Sequence, residues 1–143
     1  MTSENERLIR RTWLRIEGRH DALEAAFHGR LAELDPELSA LLAGTESESR
    51  QNRFAAVLDQ MVRALPEKRT LMRLVAASSR RHAEYGVVRR DYDTIGAAVH
   101  WALAQQLGDE FGAEERAAWR ALYSLLSGAL SRAGAVRTGA GAP

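Results

Sequence analysis

The amino-acid sequence predicts an all-α domain in which helices pack on helices, with six long or medium helices and short ones between them. Three observations predict it. Apolar residues recur three or four positions apart along most of the chain, which is the spacing of one face of a helix. No segment alternates apolar and polar residues as a half-buried strand would. Only three prolines occur, and the long stretches between them suit helices.

Taken in order, Ser3 and Glu6 form a capping box that starts the first helix, with Leu8, Ile9, Trp13 and Ile16 inward until Gly18 breaks the pattern. A second helix carries Leu23, Phe27, Leu31 and Leu34. Asp35-Pro36 is a start signal, Asp as cap and Pro in the first turn, for a short helix PELSALL that ends near Gly44. The polar stretch TESESRQN holds a loop and the next helix cap. Phe54, Leu58, Met61 and Leu65 mark one face of a long helix that Pro66 ends. Leu71, Val75, Ser78 and His82 share a face of the following helix, which Gly86 stops. Asp91 caps the next, with Ile95, Val99 and Ala102 inward. Gly108 and Gly112 make a turn, and Trp119, Leu122, Leu126 and Ala129 face inward on the last helix. The organisation expected is one domain over 1–132 and a Gly/Ala-rich disordered tail over 133–143.

Composition narrows the function. Twenty basic and 19 acidic residues leave a formal net charge of +1, without the excess of positive charge that nucleic-acid binders carry. No apolar run is long enough to span a bilayer, and the first residues lack the apolar segment of a signal peptide, so a cytoplasmic location without membrane association is the expectation. Cysteine is absent, which excludes disulfides and thiolate metal sites. The strong soft donors for a transition metal are therefore His20, His28, His82 and His100. His82 stands on an apolar helix face near the helix end. Position alone leaves two readings open, a metal ligand or a core histidine whose nitrogens are hydrogen-bonded.

Around it the sequence reads RRHAEYGV, then DYDTIG, WALAQQLGDEF and AAWRALYSLL. These segments, with FHGRLAELDPEL upstream, resemble bacterial single-domain globins and the globin part of flavohaemoglobins. The resemblance spans about residues 5–132, is strongest from Arg80 to Leu126, and is loose between Leu41 and Asn52, where a length difference must be absorbed. It implies a globin fold, a haem b cofactor and His82 as the proximal iron ligand. It further implies Arg81 near a haem propionate and Val87, Tyr92, Ile95 and Val99 against the proximal face or rim, where each would equally serve as core.

On the distal side the chain departs from the family. The usual Phe-Tyr pair of the second helix is Phe27-His28 here, so His28 is the candidate hydrogen-bond donor to a bound gas, against the alternative that it faces solvent. The corner residue that is normally Phe is Leu42. Counting back from His82 without a gap places Arg50 at the distal position, or Gln51 if the register slips by one, with Phe54 over the iron and Leu58 a turn further on. Tyr92 is retained, but no acid follows Glu115, so the last helix lacks the Glu that in flavohaemoglobins completes a network with the proximal His. The function expected is reversible binding of a diatomic gas (oxygen, nitric oxide or carbon monoxide) for storage, transport or sensing. One alternative is a nitric oxide dioxygenase or peroxidase-like enzyme served by a separate reductase. Another is a haem-free regulatory domain. Monomer and homodimer are both compatible with the sequence.

Overall fold

A computed structural model describes residues 1–47 and 49–141, with side chains described as far as residue 132. Among these residues there are seven α-helices and no strand: α1 (Ser3–Arg15), α2 (His20–Leu34), α3 (Pro36–Ser47), α4 (Phe54–Arg63), α5 (Lys68–Glu84), α6 (Asp91–Leu107) and α7 (Ala113–Gly141). Short 3-10 turns at Arg50–Asn52 and Gly108–Glu110 precede α4 and α7. The all-α fold read from the periodicity is the fold found. The tail expected over 133–143 falls on residues whose side chains are not described, the last two lying outside the described residues altogether. No helix among the described residues is long and apolar enough to cross a membrane.

The helix boundaries follow local chemistry. The cap of α1 is Thr2, whose hydroxyl accepts from the Asn5 amide at 3.0 Å, one residue earlier than the Ser3 box expected. Asp35 caps α3 as expected, accepting from the Leu38 amide at 3.1 Å. Asp91 instead accepts from the Val88 amide, so it closes the turn before α6. α3 runs through Gly44 rather than stopping there. A Cβ on Gly44 would lie 2.9 Å from the Tyr85 ring, so this glycine lets the end of α5 approach α3 closely.

Packing is pairwise. α2 lies mainly on α6, α5 on α7, and α1 on α7, while α3 and α4 close one end. Leu8, Ile9, Leu23, Phe27, Leu31, Val75, Ala98, Leu103, Trp119 and Leu122 are buried in one continuous core. Two indoles fasten α1 with their single N–H donors. Trp119 donates to the Thr12 hydroxyl at 2.7 Å and Trp13 to the Asp59 carboxylate at 2.8 Å. Between α6 and α7 the approach is closer still. Gly96 on α6 lies against Tyr123 of α7, so near that a Cβ would fall 2.2 Å from the ring. That contact lets the part-buried Tyr123 hydroxyl donate to the Tyr92 carbonyl.

Candidate functional site

The helix packing leaves a mainly apolar cavity of about 740 Å³, counting its open mouth. One wall comes from α2 and α4 and consists of Phe27, Phe54, Val57, Leu58 and Met61. The other comes from α5, α6 and α7 and carries Ser78, Arg81, His82, Tyr92, Ile95, Val99 and Tyr123. Leu42, Thr45, Glu46 and Asn52 border it from the α3 side.

His82 is the single imidazole of this cavity. Periodicity explains its place. Leu71, Val75 and Ser78 precede it at helical spacing and are buried, so α5 turns the same face inward at position 82. Its Nδ1 lies 3.2 Å from the Tyr92 hydroxyl, and its Nε2 has no hydrogen-bond partner among the described residues. Burial pushes the His82 imidazole down to about 4, and the neighbouring Arg81 guanidinium adds to the effect. At neutral pH the ring is uncharged, with a lone pair free to bind. Tyr92 is held as a neutral phenol, since burial pushes it up to about 12 against the opposing hydrogen bond of Ser79. Ser79 in turn donates to the Leu130 carbonyl of α7 at 3.0 Å. The polar groups behind His82 thus lead by way of a phenol and a serine to a backbone carbonyl. Arg81 donates to Ser78 at 3.1 Å beside the cavity.

The facing wall offers a bound molecule no hydroxyl, amide or charge. Its two aromatics are stacked, the Phe27 and Phe54 rings 3.9 Å apart at 14°. Of the residues singled out from sequence, the structure brings Leu42, Phe54, Leu58, Arg81, His82, Tyr92, Ile95 and Val99 to the cavity. It does not bring His28, Arg50 or Val87 there. His28 turns toward α3, where its Nε2 lies 2.7 Å from the Glu46 carboxylate and 3.9 Å from that of Glu24. Those two carboxylates cap the otherwise uncapped start of α4, Glu46 accepting from the Phe54 amide and Glu24 from the Ala55 amide. Arg50 and Gln51 are exposed in the 3-10 turn, because that turn takes up the chain a gapless count would assign to helix. Val87 is buried but not on the cavity. Tyr123 is a cavity residue that sequence reasoning missed, although its spacing from Trp119 and Leu126 places it on the inward side of α7.

A family model described as Globin matches residues 29–130 of the chain. Among curated proteins, the chain is 26% identical to neuroglobin of Tetraodon nigroviridis and to neuroglobin of Chaenocephalus aceratus, with 92% of this chain and 91% of each relative covered. It is 24% identical to neuroglobin of Danio rerio over the same shares. These relatives are not bacterial, so the narrower likeness to bacterial single-domain globins rests on the sequence segments alone, from FHGRLAELDPEL to AAWRALYSLL.

Proposed function

The chain belongs to the globin family, and from that premise we propose that it binds haem b through Nε2 of His82 and reversibly takes up a diatomic gas. The observation that carries this reading is a neutral imidazole, one nitrogen of which has no partner among the described residues, in a cavity whose surface is mainly apolar. The residues fit the cofactor in two respects. The donor is the one side chain there suited to ferrous iron. Arg81 also lines the cavity, a cation whose charge suits an anionic substituent of the ring.

Haem supplies an iron atom with one open position for a gas, and the surrounding side chains decide which gas stays. The residues behind His82 set its tautomer. With the Nδ1 proton directed at the Tyr92 oxygen, the lone pair on Nε2 is left for the metal. Because that partner is a neutral phenol rather than a carboxylate, the imidazole stays an ordinary neutral donor, which favours binding over oxygen–oxygen bond cleavage. The wall of Phe27, Phe54, Val57, Leu58 and Met61 excludes water and supplies no N–H or O–H to a bound gas. A gas that gains from such a donor, as oxygen does, would gain nothing from this wall, and carbon monoxide would be favoured relative to it.

Absorption spectra of the purified protein, oxidised and reduced, test the reading. A Soret band at one haem per chain is expected. Purified protein that stays colourless after incubation with haem would leave the globin fold without the cofactor and overturn the proposal.

A further inference from the structure

A second cleft lies on the side of α6 and α7 away from His82. It encloses about 1160 Å³, counting its open mouth, and Arg30, His100, Trp101, Arg116 and Arg120 line it. Its charge is one-sided, since Asp93 is the single acid among the lining residues. Arg30 is occupied: its guanidinium lies over the Trp101 ring, 5.5 Å from the centroid, and pairs with Glu33. Arg116 and Arg120 have no ion-pair partner among the described residues. Arg116 is fixed in direction, with Nε donating to the Phe111 carbonyl at 2.9 Å and the guanidinium over the Phe111 ring. That leaves one terminal nitrogen 3.4 Å from Nε2 of His100. Arg120 stands one turn later on the same face of α7.

Two unpaired guanidiniums beside an imidazole are electrostatically costly. Burial, then Arg120 and Arg116, hold the His100 pKa below its usual value. An anion between the arginines would relieve the repulsion, and it would let His100 take a proton and become a third donor.

We propose that this cleft binds the phosphate or carboxylate group of a small anion between Arg116 and Arg120, with His100 as an additional donor. The site stands on the arginine geometry and does not depend on the haem reading. It shares a wall with the His82 cavity, because Val99 and Tyr123 line both. Tyr123 also holds the Tyr92 carbonyl, so occupancy of the cleft is placed where it can move the residue that touches His82.

The test is a titration of the purified protein with inorganic phosphate, with citrate, and with sodium chloride at matched ionic strength. The readouts are calorimetry and the NMR signal of the His100 ring. Saturable binding of phosphate, citrate or both is expected, with a rise in the His100 pKa, and the anion that saturates identifies the class. Arg116→Gln/Arg120→Gln should weaken binding about tenfold or more, the loss expected for charge-assisted hydrogen bonds. Arg120→Gln alone, at an exposed position, should weaken it by a smaller factor without disturbing the fold. The surface control Arg89→Gln/Arg90→Gln should leave it unchanged. An equal response to chloride, or saturable binding that survives the loss of both arginines, would overturn the proposal.

Discussion

The two walls of the His82 cavity are built on opposite principles. The α5–α6–α7 wall mixes polar with apolar residues, and behind it His82, Tyr92 and Ser79 follow in succession to the Leu130 carbonyl. The α2–α4 wall is apolar throughout, and its polar residues have turned outward to hold the chain together. The contrast is sharpest between the two histidines. His82 is part-buried with no acid hydrogen-bonded to it among the described residues, and desolvation pushes it down to about 4. His28 meets Glu46 and Glu24 and is pushed up, the Glu46 hydrogen bond outweighing burial. One wall therefore presents a neutral donor to the cavity, while the other uses its histidine as a clasp between α2, α3 and the start of α4. A histidine's role here is set by which acids the fold brings to it, more than by its place on a helix.

The largest effect should come from removing each histidine in turn. His82→Ala is expected to abolish stoichiometric haem retention, while His28→Ala should keep it, as read from Soret absorbance per chain after purification. The reverse result would place the ligand on the α2 wall. Next in size is Phe27→Ala. Phe27 is 2% exposed and stacked on Phe54, so its loss should cost about 3–5 kcal/mol of stability in urea denaturation, as for a buried Phe elsewhere. If haem is bound, the same variant should speed carbon monoxide association in flash photolysis, since one ring of the stack is removed. A smaller cost is expected for Gly96→Ala on the opposite wall. The added methyl meets the Tyr123 ring, and such overpacking typically costs about 1–3 kcal/mol. The double variant Gly96→Ala/Tyr123→Leu should recover part of that loss, because the clash is with a side chain and not with backbone.

The walls also differ in how far they can be read from sequence. The fold and the His82 wall are legible because one helix periodicity determines both. Leu71, Val75, Ser78 and His82 share a face, and Ile95, Val99 and Leu126 sit on faces that must meet it. The α2–α4 wall is legible in its core residues, Phe27, Phe54 and Leu58, for the same reason. His28 is not, because its side chain is decided by Glu46, on a different helix and beyond the turn at Asp35-Pro36. Arg50 is misplaced by a count that assumes helix where the chain makes a 3-10 turn, and hydrophobic periodicity carries no information about such polar stretches. The polar chain behind His82 can be foreseen only in part. Tyr92 stands out in the sequence, but the continuation through Ser79 to a backbone carbonyl leaves no residue-type signature.

The smallest expected effect concerns the His28 clasp, and its sign separates it from other sources of pH dependence. The folded-state pKa of His28 lies above its ordinary value of 6.5 because Glu46 accepts its hydrogen bond and favours the protonated ring. A group raised in this way binds its proton more tightly folded than unfolded. Its contribution to stability is complete below the unfolded value and is lost as pH rises through the folded one. Glu24 is also raised, by burial before all else, so the stability it costs begins to develop as pH rises above 4.5, where His28 is still fully protonated. The His28 contribution is lost over an interval that begins above pH 6.5. Urea midpoints should fall across that interval in the wild type and fall less in His28→Gln, whose side chain cannot titrate. Glu46→Gln should flatten the profile similarly, because it removes the partner that raises the pKa. His28 is only half-buried, so solvent screens the pair and the difference should be modest. A profile equally steep in both variants would show that the clasp does not hold α4 in solution. The outward turn of His28, and with it the wholly apolar wall, would then need another cause.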